Sequence, residues 1–308
     1  MYPLDQYGLV RRQAALADDF SDHELRAAVR SGDLIRLTPG VFVPRSDSFD
    51  GARGADRLYR LRSIAVATSE PSGGYPLSHA SAAAIHDLPL LRPDRKRVHL
   101  TSGHGSGGNI TADRHLHSSL LGAADVTVVD GVSVTTLART AVDVATSGRF
   151  AQALTAFDSA LRADVDRELL AAALTGRRYG VRAARRGLQY AHKDAESVGE
   201  SWSRAQMIDA GLPGPVLQRE FRCPSGKYRC DFCWGDRLIG EFDGAVKYGR
   251  LLRPGESVSD AVLREKRRED ELRALGFMVV RWTWDDLAKG ALPGLLRPWL
   301  VRLDLMAA

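Results

Sequence analysis

Apolar positions recur at two periods along this chain, and the changes of period mark its elements. Near the N-terminus Val10, Ala14, Ala15 and Leu16 predict a short helix, and Leu25, Ala28 and Val29 fall at i, i+3, i+4 on a second. Ser21 and Glu24 stand where a capping box would open that second helix: the serine hydroxyl accepts from the third helical N–H and the glutamate reaches back. Gly32 supplies a stop, and the runs Leu34–Leu37 and Gly40–Val43 around Thr38-Pro39 predict a two-stranded wing. Residues 1–48 therefore predict a winged helix-turn-helix. Beyond it, Asp56–Thr68 and the Ala-rich Leu77–Leu90 predict helices, while Val98–Thr101 and Arg114–His117 predict strands. Val126–Ala145 predicts a strand pair turning at Asp130-Gly131, then a helix from about Thr136. These make a mixed α/β region over 49–148, and the helical period returns over 149–194, where Leu154, Phe157, Ala160 and Leu161 form one stripe.

From 195 to 308 the period switches repeatedly. Val198, Trp202, Ala205 and Ile208 trace one face of a helix ending at Gly211, and Val216–Phe221 predicts a strand. The runs Cys230–Trp234 and Leu238–Phe242 flank the turn-forming Gly235-Asp236-Arg237 as a hairpin. A charged helix over Asp260–Leu275, an apolar strand over Phe277–Trp282, a short helix capped by Thr283 and a last helix over Leu292–Leu305 complete the chain. The expected fold class is α/β.

The hairpin stretch YRCDFCWGDRLIGEFDGAVKY, Tyr228–Tyr248, carries acid where strands should be apolar. Glu241 and Asp243 are two apart and share a strand face, and pairing brings Asp231 beside them. Three carboxylates on an apolar hairpin repel one another and lose hydration, a cost of several kcal/mol unless compensated. Hard oxygen donors of this kind suit Mg²⁺ or Mn²⁺, with Asp231, Glu241 and Asp243 as metal ligands.

Composition changes the picture little. At 308 residues, 44% hydrophobic and 26% charged, the chain suits a soluble protein of more than one domain. No run approaches the roughly 20 apolar residues of a membrane span, and MYPLDQYG lacks a signal peptide's basic and apolar regions, so a cytoplasmic protein with no membrane partner is expected. A net charge of +5 permits nucleic-acid binding. Arg11, Arg12, Arg26, Arg30 and Arg36 are the winged helix's candidates for phosphate contact.

Three further patterns are weighed and set aside. Cys230 and Cys233 have a C-x-x-C spacing, but residues three apart on a strand face opposite sides, so they are expected to be buried small hydrophobes. Six of eight histidines fall between His79 and His117, scattered over several elements, and ordinary packing or surface roles are expected of them. The glycines at 103, 105, 107 and 108 precede no Gly-Lys-Ser/Thr, which excludes a phosphate-binding P-loop.

Two family resemblances carry the reading further. RQAALADDFSDHELRAAVRSGDLIRLTPGVFV and the segments after it resemble the N-terminal, winged helix-turn-helix domain of AbiEi-type antitoxins of bacterial abortive-infection systems, over roughly the first half of the chain. That resemblance implies DNA binding, regulation, and a toxin or defence-system protein as partner. ESWSR, YRCDFCW, GEFDG and EKRREDELRALGFMVVRW, from Glu200 to Trp282, resemble the PD-(D/E)XK nuclease fold, in the branch of very short patch repair endonucleases. It implies a Mg²⁺-dependent endodeoxyribonuclease in which Glu200 is the first-helix acid, Asp231 bridges to metal and Glu241 is the second-strand acid. Lys266, Arg267 and Arg268 would grip flanking phosphates, and a double-strand cut would call for a homodimer. The family's E-x-K would place lysine at 243, where this chain has Asp243. Lys247, about 13 Å further along a straight strand, and Lys266 are the candidate replacements. A DNA-binding regulator with a degenerate nuclease fold is the alternative.

Overall fold

The computed structural model describes residues 1–69, 74–176, 179–224, 226–244 and 257–307. The chain divides into two compact units, Met1–Val144 and Ala145–Ala308.

The first unit opens with β1 (Val10–Arg11), α1 (Arg12–Ala17), α2 (Asp22–Ser31), β2 (Leu34–Thr38) and β3 (Val41–Pro44). Both halves of the Ser21–Glu24 capping box are formed, and Gly32 ends α2 at φ 88°. Val10 is not helical: it pairs with Phe42, completing a three-stranded sheet of order β1-β3-β2. Val10, Ala15, Leu25, Ala28, Leu34 and Phe42 form a small core of their own. On the other side, Leu9, Leu37, Val41 and Val43 pack with residues of the elements that follow, including Ile64, Leu77, Leu100 and Val134. Those elements are α3 (Gly51–Ala67), α4 (His79–Ile85), β4 (Val98–Gly103), β5 (Asn109–Ile110), β6 (Arg114–Leu120), β7 (Val126–Val129), β8 (Val132–Thr135) and α5 (Leu137–Ser147), which runs across the boundary. The short β5 pairs antiparallel with β6, and β4 runs parallel to β6 on its other side. Asp130 and Gly131 both have positive φ, as the tight β7–β8 turn requires.

The second unit holds α6 (Phe150–Arg162), α7 (Arg167–Ala173), α8 (Val181–Tyr190), α9 (Val198–Asp209), β9 (Val216–Cys223), β10 (Gly226–Trp234), β11 (Leu238–Asp243), α10 (Val258–Ala274), β12 (Met278–Thr283), α11 (Trp284–Lys289) and α12 (Leu292–Arg302). Its sheet runs β12-β11-β10-β9; β9, β10 and β11 are antiparallel neighbours, and β12 returns parallel to β11 after α10. A parallel return needs such a crossover, and the charged α10 provides it. Met207, Phe232, Phe242, Trp282 and Leu292, Leu296 and Leu300 of α12 form one core. Tyr228, Cys230, Cys233, Ile239, Leu272 and Phe277 form another. At Gly199 any Cβ would overlap the Phe242 ring, so the glycine lets α9 lie directly on β11.

One strand departs from simple alternation. Tyr228, Cys230 and Cys233 share one core while Phe232 and Trp234 share the other. The switch falls at Asp231, across from Gln218, whose φ of 52° places it in the left-handed region. The two cysteines therefore do not face opposite sides, as strict alternation predicts; their side chains interact, and both are fully buried free thiols. No helix among the described residues is long and apolar enough to cross a membrane.

Candidate active site

The acids of the second unit are held at the meeting of α9 with the β9–β10–β11 sheet. Ser197 caps α9, and Glu200 sits three residues on, where its backbone N–H donates to the Ser197 hydroxyl at 3.2 Å. The Glu200 carboxylate accepts from Ser197 Oγ at 2.7 Å, the Glu196 N–H at 2.9 Å and Gln218 Nε2 at 2.9 Å. Only 7% of Glu200 is exposed. Burial, then the charge of Asp231, push its pKa up to about 7 against the opposing pull of those hydrogen bonds. The strained Gln218 thus lies across from one acid in register and donates to another.

Asp231 Oδ2 accepts from the Phe242 N–H at 2.9 Å. Because Phe232 pairs with Gly240, continuing the register by one sets Asp231 across from Glu241. Glu241 accepts from the Tyr228 hydroxyl, and the Arg268 guanidinium lies 3.5 Å above the Tyr228 ring. Burial and the neighbouring Glu241 charge drive that phenol above its usual range. Asp243, half-buried, ends β11 beside Thr283 of β12. Glu200 is thus coupled to Asp231, and Asp231 lies across from Glu241, but the described acids, Asp243 included, do not offer three ligand oxygens within one coordination sphere as the sequence leads one to expect. Among the described residues, the group that does bring its ligand atoms within 4.8 Å of one another is His99, His115 and His117.

Arg204 is four residues from Glu200 on α9 but does not pair with it. It donates to Asp158 Oδ2 of α6 at 2.7 Å and to the Tyr190 carbonyl. Asp158 is fully buried and also accepts from the His192 N–H at 2.7 Å. Lys266 and Arg267 are exposed on α10, whereas Arg268 is committed to Tyr228 and the Arg229 carbonyl. Lys247 lies outside the described residues.

In the winged helix the five arginines separate into two groups. Arg11 is held by Asp5 at 2.8 Å and by the Thr68 and Ser69 hydroxyls; Arg12 makes a two-pronged bond to Asp22 at 2.7 and 2.6 Å. Arg26, Arg30 and Arg36 are exposed and form no ion pair with a described residue. They are the cations best able to meet a phosphate.

Gln218, Tyr228 and the Asp158–Arg204 pair are site neighbours that sequence reasoning misses. No local signal marks a glutamine for positive φ, and a pair 46 residues apart has no period. The histidine trio had a signal, His115 and His117 on one strand face, but not the pairing that adds His99.

Comparison with known proteins places two of these observations. The family described as the AbiEi antitoxin C-terminal domain matches residues 77–189; the winged helix, on which the N-terminal-domain resemblance rests, lies outside that match. Two proteins from strains of Mycobacterium tuberculosis, the uncharacterized proteins MT2308 and Rv2248, are each 30% identical over 285 residues, covering 91% of this chain and 95% of theirs. Such likeness along nearly the whole of both chains shows that this chain belongs to the same family as those mycobacterial proteins.

Proposed function

We propose that this chain is a DNA-acting protein of antitoxin-like type whose second unit hydrolyses phosphodiester bonds with a divalent cation. The observation that carries the reading is the gathering of acids at one place on the sheet: the buried Glu200 is coupled to Asp231, which lies across from Glu241. Such a cluster is relieved by a cation, and the helix–strand–strand–strand–helix–strand order around it matches the nuclease resemblance. The donor set fits Mg²⁺ or Mn²⁺ in kind, being all carboxylate oxygen. Asp231 and Glu241 would hold the ion, with Asp243 beside them at the end of β11. A bound divalent ion would supply charge neutralisation at the scissile phosphate and a more acidic water. Glu200, steered by Ser197 and Gln218, would orient that water shell. Lys266 and Arg267 would grip flanking phosphates, while Arg26, Arg30 and Arg36 would dock the winged helix on duplex. The antitoxin likeness supports a toxin or defence-system protein as a further partner. A double-strand cut would call for two copies.

A second reading is favoured by Asp243. The nuclease resemblance expects lysine there, and without it the fold would serve a DNA-binding regulator that does not cut. One experiment separates the two: full-length protein with supercoiled plasmid, linear duplex and single strands, in Mg²⁺, Mn²⁺ or EDTA. Metal-dependent cleavage lost in Glu241→Ala supports the nuclease. Tight duplex binding without cleavage of any substrate supports the regulator, and cleavage unchanged in Glu241→Ala overturns the site.

A further inference from the structure

The first unit gathers four imidazoles that the sequence scatters over forty residues. β4 and β6 run parallel with His99 beside His115 and Thr101 beside His117. His115 and His117, two apart on β6, turn the same face toward His99. His99 Nδ1 lies 2.9 Å from His117 Nε2, and the His115 and His117 ring centres are 3.7 Å apart. His79, at the start of α4 and itself at φ 50°, stacks on His117 with ring centres 3.7 Å apart and bonds Ser78 Oγ at 2.9 Å. Each of His99, His115 and His117 offers one ring nitrogen within 4.8 Å of the other two.

From this geometry we infer a trihistidine site for Zn²⁺ or a similar nitrogen-preferring divalent ion, formed by His99, His115 and His117. Tetrahedral zinc with Zn–N bonds of about 2.0–2.1 Å sets its nitrogens about 3.3 Å apart, so His99 and His117 need open by only a few tenths of an ångström. Imidazole suits zinc, copper, nickel and iron, whereas the carboxylates of the second unit suit Mg²⁺ and Mn²⁺, so the two sites call for different ions. His99 is over nine-tenths buried, and its Nε2 has no hydrogen-bond partner. Nδ1, the atom that faces His117, is the one it offers to the site. His115 and His117 are half-buried, which leaves a route from solvent and a fourth position for water. Stacking alone would explain close rings, but it does not require three of them to bring a ring nitrogen within 4.8 Å of the other two.

The test uses full-length protein with any affinity tag removed and metal stripped by chelator. With excess Mg²⁺ present to occupy the carboxylate site, cobalt(II) titration followed by visible absorption, with zinc competition by calorimetry, is expected to give one tight equivalent. His115→Gln and His117→Gln should each weaken binding by 100-fold or more, with His104→Ala and His192→Ala unchanged. Nitrogen-15 NMR of the wild-type rings needs no variant: zinc should move the ring nitrogens of His99, His115 and His117 and leave those of His104 and His192. Absence of saturable one-equivalent binding in natively folded protein, or zinc shifts outside the trio, overturns the inference.

Discussion

Replacing Glu200 by Gln removes a buried charge while keeping its hydrogen bonds. One carboxylate oxygen accepts from Ser197 Oγ and the other from both the Glu196 N–H and Gln218 Nε2. A glutamine can place its carbonyl at the second position and let its NH₂ donate to Ser197. What disappears is the ionised state that burial and Asp231 disfavour. With the folded carboxyl at about 7 against an ordinary value of 4.5, the difference corresponds to about 3 kcal/mol. The folded state holds the proton more tightly than the unfolded chain, so this group stabilises relative to its ionised form below pH 4.5. That advantage is lost as pH rises from about 4.5 through about 7. Denaturant titration of the full chain from pH 4.5 to 8.5 should find the two proteins similar at the acid end. At pH 8 Glu200→Gln should be more stable, by up to about 3 kcal/mol, and saturating Mg²⁺ should narrow that gap by stabilising wild type. Equal stability at every pH, or a variant weaker at pH 8, would refute the reasoning.

Ser21→Ala removes the hydroxyl that accepts from the Glu24 N–H in the α2 capping box, leaving the residue-21 N–H on the Glu24 carboxylate, and should cost about 1 kcal/mol in denaturant unfolding. Gly199→Ala drives a methyl into the Phe242 ring and should lower the second unit's thermal midpoint by the equivalent of about 1–3 kcal/mol or more. Arg204→Met strands the fully buried Asp158 and should cost about 3–5 kcal/mol, with Arg204→Met/Asp158→Asn recovering part of it. In duplex-binding titrations across salt concentrations, Arg26→Gln, Arg30→Gln and Arg36→Gln should each flatten the salt dependence by roughly 0.9 in slope. The same change at Arg12, already paired with Asp22, should have less effect.

The sequence discloses what is local. Ser21 with Glu24, Ser197 with Glu200 and Thr283 with Asp286 mark helix starts because each cap closes within three residues. The acidic hairpin is legible because alternation and a turn trio bound it, and it pairs Trp234 with Leu238 as the turn dictates. What escapes is set by distant partners. Val10 becomes strand because Phe42 offers an edge, and Arg204 turns to Asp158 of α6 while the Glu200 carboxylate is taken by Ser197, the Glu196 N–H and Gln218. Cys230 and Cys233 share a face because the chain switches sides at Asp231, opposite the left-handed Gln218. The histidines converge through a parallel pairing that no spacing along the chain predicts.

The proposed cation-dependent phosphodiesterase site rests on Asp231 and Glu241. It is tested by the single-turnover cleavage rate of a linear duplex in Mn²⁺, for wild type and Asp231→Asn. The asparagine oxygen can still accept the Phe242 N–H, so the sheet is kept while the ligand charge is removed. Cleavage that EDTA abolishes is expected, with a loss of at least about 100-fold in the variant. Equal rates in the two proteins, or no cleavage by natively folded wild type, would contradict it.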